Sequence, residues 1–119
     1  MEEIVNLTQE DVNRLIHAFP VKPMRGKVII TVNVDEADGE VILTNSSFSE
    51  EQFVMAAGET SQVKAGDIVL LDLEKMMEYS PSDTDAYEKV GRIKLRPIEV
   101  EGTTYALINE NLIDAVITG

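Results

Sequence analysis

Six short runs with the lengths and residue types of β-strands most constrain the fold of this chain. They are, in chain order, KVIITVNV (27–34), QFVMAA (52–57), DIVLLDL (67–73), RIKLR (92–96), YALI (105–108) and IDAVIT (113–118). In the first run Val28, Ile30, Val32 and Val34 fall on one face, and RIKLR alternates strictly. DIVLLDL is nearly continuous, as expected for a strand covered on both sides. The pattern predicts a mainly β domain, a small barrel or sandwich, and not a parallel α/β sheet.

Residues 1–21 are predicted to form a separate helical extension. Thr8 is a candidate N-cap, and Asp11 follows three residues later. Apolar residues then recur at helical spacing, namely Val12, Leu15, Ile16 and Phe19. Pro20 and Pro23 close the segment. Such a helix more often packs on its own domain, and docking on a neighbouring subunit is the alternative.

The net charge of the chain argues against nucleic acid as a partner. The chain has 119 residues, the size of one domain, and 22 Asp plus Glu against 10 Lys plus Arg give a net charge of −12. That field repels a phosphate backbone, so we expect no nucleic-acid partner. The excess charge serves either simple solubility or a surface that must not adhere to other polypeptides.

The compartment is predicted from what the sequence lacks. No apolar run approaches the ~20 residues that span a bilayer, so no membrane partner is expected. The acidic start MEEIVNLTQE has neither the basic beginning nor the apolar centre of a signal peptide. Cysteine is absent, which suits a reducing compartment. We therefore expect a cytoplasmic protein.

Residues suited to catalysis or metal binding are sparse. The chain has a single histidine, His17, and without cysteine or a second histidine it offers neither a dyad nor a metal cluster. No GxxxxGK[ST] or GxGxxG motif is present. Acidic pairs such as Glu50 and Glu51 arise by chance in so acidic a chain, and nothing marks two of them as a catalytic couple. We expect no enzyme activity, no metal and no cofactor of the chain's own.

A stripe of basic residues in RIKLR allows two interpretations. Arg92, Lys94 and Arg96 alternate along one predicted strand. They form either a solvated face or a seam for acidic groups on another subunit. Exposed ion pairs are individually weak, which favours the solvated face.

The stretch DGEVILTNSS (38–47) also has two interpretations. In one, Asp38 and Gly39 form a β-hairpin turn and Val41, Ile42 and Leu43 are ordinary strand. Three consecutive bulky aliphatics put at least one on the exposed face, which argues against that hairpin. In the other, the aliphatic triplet lies on a loop too acidic and polar to order itself.

The order of the segments favours the loop. KPMRGKVII, DGEVILTNSS, QFVMAAG, VKAGDIVLL and YALINENLIDAVITG follow one another in that order. This succession resembles the co-chaperonins of the GroES type, the lids of the bacterial chaperonin cage, over residues 22–119. In that family a proline precedes the first strand, as Pro23 does, and a mobile loop carries a glycine, an aliphatic tripeptide and a Ser/Thr-rich tail. Residues Val63 to Val69 match the VKxGDxV turn of the family, and Ile108 to Val116 match its terminal I…E…DILAV pattern.

The sequence departs from that family at several places. The connection at residues 59–62 is short, so the hairpin that roofs the usual dome is expected to be missing. Residues 74–91 are longer than the family pattern and include the polar stretch SPSDTDAYE. The helical extension is also additional. A shortened roof with added segments is similar to the divergent co-chaperonins of bacteriophages, which would place the protein in the host cytoplasm.

The resemblance implies a small irregular β-barrel that forms a ring-shaped lid, a homoheptamer. The candidate mobile loop is 35–51, in which Asp38 and Gly39 provide the hinge and Val41, Ile42 and Leu43 bind the chaperonin. Strands near 22–30 and 112–118 are expected to pair between neighbouring subunits. The nucleotide, ATP, belongs to the chaperonin. The alternative from another class is a small acidic β-barrel adaptor or assembly protein of a larger particle, without chaperonin binding.

Overall fold

A six-stranded antiparallel sheet and a two-stranded sheet organise the part of the chain that the structure describes. The computed structural model describes residues 6–34, 48–59, 61–79, 91–93 and 95–117. The strands are β1 (Lys27–Thr31), β2 (Glu51–Ala57), β3 (Ile68–Leu71), β4 (Met77–Tyr79), β5 (Gly91–Ile93), β6 (Arg96–Val100), β7 (Thr103–Asn109) and β8 (Ile113–Ile117). The large sheet has the order β6-β7-β1-β2-β3-β8, and β4 pairs with β5. The prediction of a mainly β fold is confirmed.

The large sheet remains open. Among the described residues no ladder joins β6 to β8, so these two strands are its edges. Closure of a barrel requires hydrogen bonding between the first and last strands, and only closure removes edges. The expected barrel is therefore present, among the described residues, only as an unclosed sheet.

Strand β1 lies at the centre of the sheet and separates two apolar clusters. It is antiparallel to β2 on one side and to β7 on the other. Val28 and Ile30 face the larger cluster, which also contains Phe48, Val54, Val63, Val69, Leu71, Met76, Ala106 and Ile108. Ile29 faces the opposite way, into a second cluster with Val12, Met55 and Tyr105. The central strand is therefore covered on both faces, because the N-terminal segment supplies the second cover.

The N-terminal helix α1 (Gln9–Leu15) is that cover. Thr8 and Asp11 form a complete capping box, which confirms the predicted start. Val12 is fully buried against the second cluster, and a 3-10 turn (Ile16–Ala18) follows. The ring of Phe19 meets that of Tyr105 edge-on, with centroids 5.0 Å apart. The helix packs on its own domain, as the first interpretation expected.

Two predicted strands differ from the structure. RIKLR is split, because β5 pairs with β4 in the small sheet whereas Arg96 begins β6 in the large one. Arg92 and Arg96 therefore do not share one strand face. In β3 only Val69 and Leu71 are buried, so this strand is buried mainly on one side. The short helix α2 (Leu73–Met76) follows β3 and leads into β4.

A glycine permits one close approach that shapes the sheet. A Cβ added at Gly58, which follows β2, would lie 2.3 Å from the backbone oxygen of Met24. Gly58 N–H donates to the Lys27 carbonyl at 3.1 Å, so the end of β2 is pressed onto the segment that leads into β1. A side chain of any other type would force these two backbone segments apart.

Candidate binding segment and its base

The candidate loop begins and ends at one point of the fold. Val34 and Phe48 form an isolated antiparallel bridge, and both side chains are only 3% exposed. Ser49 N–H donates to the Asn33 carbonyl at 3.1 Å, which extends the contact by one step. The chain that leaves at residue 34 therefore returns beside it at residue 48.

This meeting point of residues 34 and 48 is the base of the candidate loop, and the side-chain amide of Gln52 holds it together. It is 1% exposed, yet every polar atom of the amide is used. Its Oε1 accepts from Asn33 N–H and from the Thr31 hydroxyl, both at 2.8 Å. Its Nε2 donates to the carbonyls of Asn33 and Ser49, again at 2.8 Å. A buried amide is stable only with such partners, so Gln52 fixes the strands on both sides of the base relative to each other.

Two asparagine side chains tie the N-terminal segment to the same base. Asn6 Oδ1 accepts from Val34 N–H at 2.9 Å, and its Nδ2 donates to the Val34 carbonyl at 2.7 Å. Asn33 makes the reciprocal pair with Leu7, accepting at 2.9 Å and donating at 3.0 Å. Each amide thus replaces the peptide group of a missing neighbouring strand. We call Asn6, Asn33 and Gln52 with their backbone partners the amide clasp.

The clasp was not predicted from the sequence. Asn33 is a polar residue at the end of KVIITVNV, and Gln52 opens QFVMAA on what becomes a buried face. A polar residue on the buried face of a strand is the signal that would have singled out Gln52. The partners of Gln52 lie up to 21 positions away in the chain, and no local pattern identifies them.

The residues predicted to bind the partner lie outside the described residues. They are the hinge pair Asp38 and Gly39 and the triplet Val41, Ile42 and Leu43. Of the expected loop 35–51, residues 48–51 belong to the folded part, since Phe48 is buried and Glu51 begins β2. Of the predicted insertion 74–91, the described residues lie in α2, β4 and β5.

The two edges of the large sheet differ in their readiness to pair. Pro97 in β6 has no N–H to donate, which blunts that edge. Strand β8 contains no proline, and Asp114, Ala115 and Val116 are exposed. The expectation that β1 pairs with a neighbouring subunit is wrong, because β2 and β7 already occupy both its sides. Within the expected range 22–30, only residues 22–26 lie outside a strand of the sheet.

Glu110 joins the short connection after β2 to the C-terminal part. Its Oε1 accepts from the Ser61 hydroxyl at 2.6 Å and from Gln62 N–H at 2.8 Å. These hydrogen bonds, the one from Ser61 above all, lower the pKa of the Glu110 carboxyl below its ordinary value. The short connection after β2 is therefore anchored by a carboxylate.

Groups of side chains that could bind a metal ion are absent from the part of the chain that the structure describes. No group of three or more His, Asp or Glu side chains there is arranged to hold a metal ion. His17 is exposed in the 3-10 turn, remote from the clasp in sequence. Within the same residues, no helix has the length and apolarity to cross a bilayer.

Comparison with protein-family models finds no match, and a search of curated proteins finds no significant relative.

Proposed function

We propose that the protein is a co-chaperonin, a ring-shaped lid for a bacterial-type chaperonin that assists ATP-dependent folding. In this proposal Val41, Ile42 and Leu43 enter an apolar groove of the chaperonin, and Asp38 with Gly39 lets the segment turn. The chaperonin supplies the nucleotide. The protein acts in the cytoplasm, that of the host if a bacteriophage encodes it.

The amide clasp is the observation that best supports this proposal. A segment that carries a binding triplet needs a firm attachment at both ends. The Val34–Phe48 bridge and the four hydrogen bonds of Gln52 supply one, since both ends of 35–47 meet at a buried, fully hydrogen-bonded site. Acidic and polar residues surround the triplet in the sequence and favour ordering only on binding.

The energetics favour a ring over a single subunit. Burial of three aliphatic side chains contributes about 5–9 kcal/mol. Ordering only five backbone residues costs about 5–10 kcal/mol, so a single segment binds poorly. Several segments on one ring act together, because after the first contact the others bind at a high effective concentration. Weak single contacts also allow the lid to leave when the chaperonin changes its nucleotide state.

The open edge at β8 is where we place the subunit contact. Its outer backbone groups have no partner strand among the described residues, and an unprotected edge pairs readily with another chain. We propose that β8 of one subunit meets residues 22–26 of the next. Head-to-tail contacts of this kind close into a ring, which we propose to be a heptamer. With a net charge of −12 per subunit, the ring would present a negative lining to which folding clients do not adhere.

The decisive experiment changes the triplet without changing the base. Ile42→Asp places a charge where an apolar side chain is to be buried, and we expect it to abolish binding to a bacterial chaperonin in the presence of ATP. Asn45→Asp adds the same charge outside the triplet and serves as the matched control. Complex formation is measured by native mass spectrometry, and slowing of the chaperonin's ATP turnover is measured in parallel.

The outcomes separate the lid from the adaptor. Retained binding by Ile42→Asp would refute the assignment of the triplet. A parent protein that ignores the chaperonin in every nucleotide state would favour the adaptor or assembly protein. A parent protein that remains a monomer at high concentration would contradict the ring.

A further inference from the structure

A groove next to β6 gathers cations in an otherwise acidic protein. Lys27 at the start of β1, Lys75 in α2 and Arg96 at the start of β6 line one open groove of about 660 Å³. The chain has only 10 basic residues, and three of them line this groove, with no acidic residue among its described lining residues. The sequence placed Arg96 in a stripe with Arg92 and Lys94, whereas the tertiary structure joins it to lysines from two other elements.

The floor of the groove is apolar and continuous with the larger cluster. Its lining includes Met76, Leu95, Pro97, Leu107, Ile108 and Leu112. Met76 and Ile108 belong to the buried core itself, and Leu95 and Leu112 pack against it. The groove thus offers apolar contact below and positive charge at its rim, and a ligand with the complementary pattern has an apolar anchor flanked by acids.

Within the part of the chain that the structure describes, each of the three cations keeps capacity to engage such a ligand. Arg96 is exposed and forms no salt bridge to any described residue. Lys75 has one exposed, long contact to Asp72 at 3.8 Å, which contributes little and is easily exchanged. Lys27 donates from Nζ to the Asn109 side chain, and an ammonium has two further donors for another acceptor.

We infer that this groove binds an acidic peptide segment of another protein, anchored by an aliphatic side chain. Charge complementarity selects the acidic partner, since elsewhere the net charge of this chain repels one. A short acidic segment supplies both parts of that pattern, carboxylates for the three cations and an aliphatic side chain for the apolar lining. The interaction is independent of the proposed binding by the aliphatic triplet.

Fluorescence anisotropy with synthetic probes tests the inference. The probe is a labelled heptapeptide, EDLEDLE, and its counterparts are QNLQNLQ without charge and EDAEDAE without the aliphatic anchor. We expect EDLEDLE to bind most tightly and to weaken as the salt concentration rises, because the rim is exposed to solvent. Lys75→Gln combined with Arg96→Gln should lower the affinity about fivefold, the effect of two exposed ion pairs.

A matched variant distinguishes the groove from the charge of the whole chain. Arg14→Gln combined with Lys64→Gln removes the same charge at exposed sites outside the groove and should leave the affinity unchanged. Equal losses in the two double variants, equal binding of QNLQNLQ, or no binding of EDLEDLE would overturn the inference. A changed sedimentation coefficient in Lys75→Gln with Arg96→Gln would also overturn it, since the occupant would then be a second copy.

Discussion

Replacement of Gln52 by leucine tests whether the amide clasp holds the base of the candidate loop. Leucine has a similar volume and suits the buried face of β2, so the change removes the four hydrogen bonds and little else. The Asn33 carbonyl keeps its bond from Ser49. The buried Thr31 hydroxyl still accepts from Phe53 N–H but loses Gln52 Oε1 as the acceptor of its own proton. The Asn33 N–H and the Ser49 carbonyl lose their only partners among the described residues.

The expected loss in the free energy of unfolding follows from these lost hydrogen bonds. An orphaned backbone N–H in a half-buried position costs about 1–3 kcal/mol, and each remaining lost hydrogen bond costs about 0.5–1.5 kcal/mol, reduced where water can reach the group. Burial of the apolar leucine side chain offsets part of this loss of stability. We expect the free energy of unfolding to fall by about 2–4 kcal/mol, measured by urea denaturation followed by circular dichroism at fixed protein concentration.

A second change at the same position, Gln52→Glu, should make the stability of the protein depend on pH. In Gln52→Glu the carboxylate still accepts from Asn33 and Thr31 but faces two carbonyl oxygens where the amide donated. Burial and these oxygens raise the pKa of the new carboxyl in the folded state. Relative to the parent, this variant therefore gains stability as the pH falls through the raised pKa. Gln62→Leu, at an exposed glutamine, is the control and should stay within about 0.5 kcal/mol of the parent.

The result that would refute the reasoning is equally specific. If Gln52→Leu and Gln62→Leu unfold at the same urea concentration, the clasp does not stabilise the base. If Gln52→Glu shows no gain relative to the parent at acidic pH, the two carbonyls do not face the side chain as described.

Two further predictions concern the connection after β2. Gly58→Ala should destabilise the protein by about 2 kcal/mol or more in thermal unfolding, because the added Cβ meets the Met24 carbonyl. Gly26→Ala is the control, since Gly26 has open space around it but a φ of +81°, and it should cost only about 1 kcal/mol. Equal effects of the two changes would contradict the close approach at Gly58. Because its hydrogen bonds lower the pKa of Glu110, that carboxylate stabilises the fold above its unfolded-state pKa and loses the contribution as the pH falls through the folded one. Urea denaturation of Glu110→Gln should therefore show a smaller loss of stability than the parent between pH 6 and pH 3, and parallel pH profiles would contradict this.

Local patterns in the sequence were sufficient for most of the strands. QFVMAA, YALI and IDAVIT correspond to β2, β7 and β8 within one or two residues, because alternation and apolar content act over neighbouring positions. The capping box of α1 was equally readable, since Thr8 and Asp11 interact within one turn. RIKLR was misread as one strand because alternation says nothing about which sheet a residue joins.

The candidate site divides in the same way. Composition and spacing singled out the triplet 41–43 and predicted a surrounding segment with little apolar area. The amide clasp and the groove of Lys27, Lys75 and Arg96 could not be predicted, since each joins residues from distant parts of the chain.

By itself, the sequence determined most of the strands, the helix start and the net charge, all of which depend on residue type and near neighbours. The tertiary structure alone decided that β1 is central and that three amides close the base at Val34 and Phe48. It also decided that, among the described residues, no pairing joins β6 to β8. The physical reason is that strand pairing and the satisfaction of buried polar groups depend on which distant segments meet, and no short pattern encodes that choice.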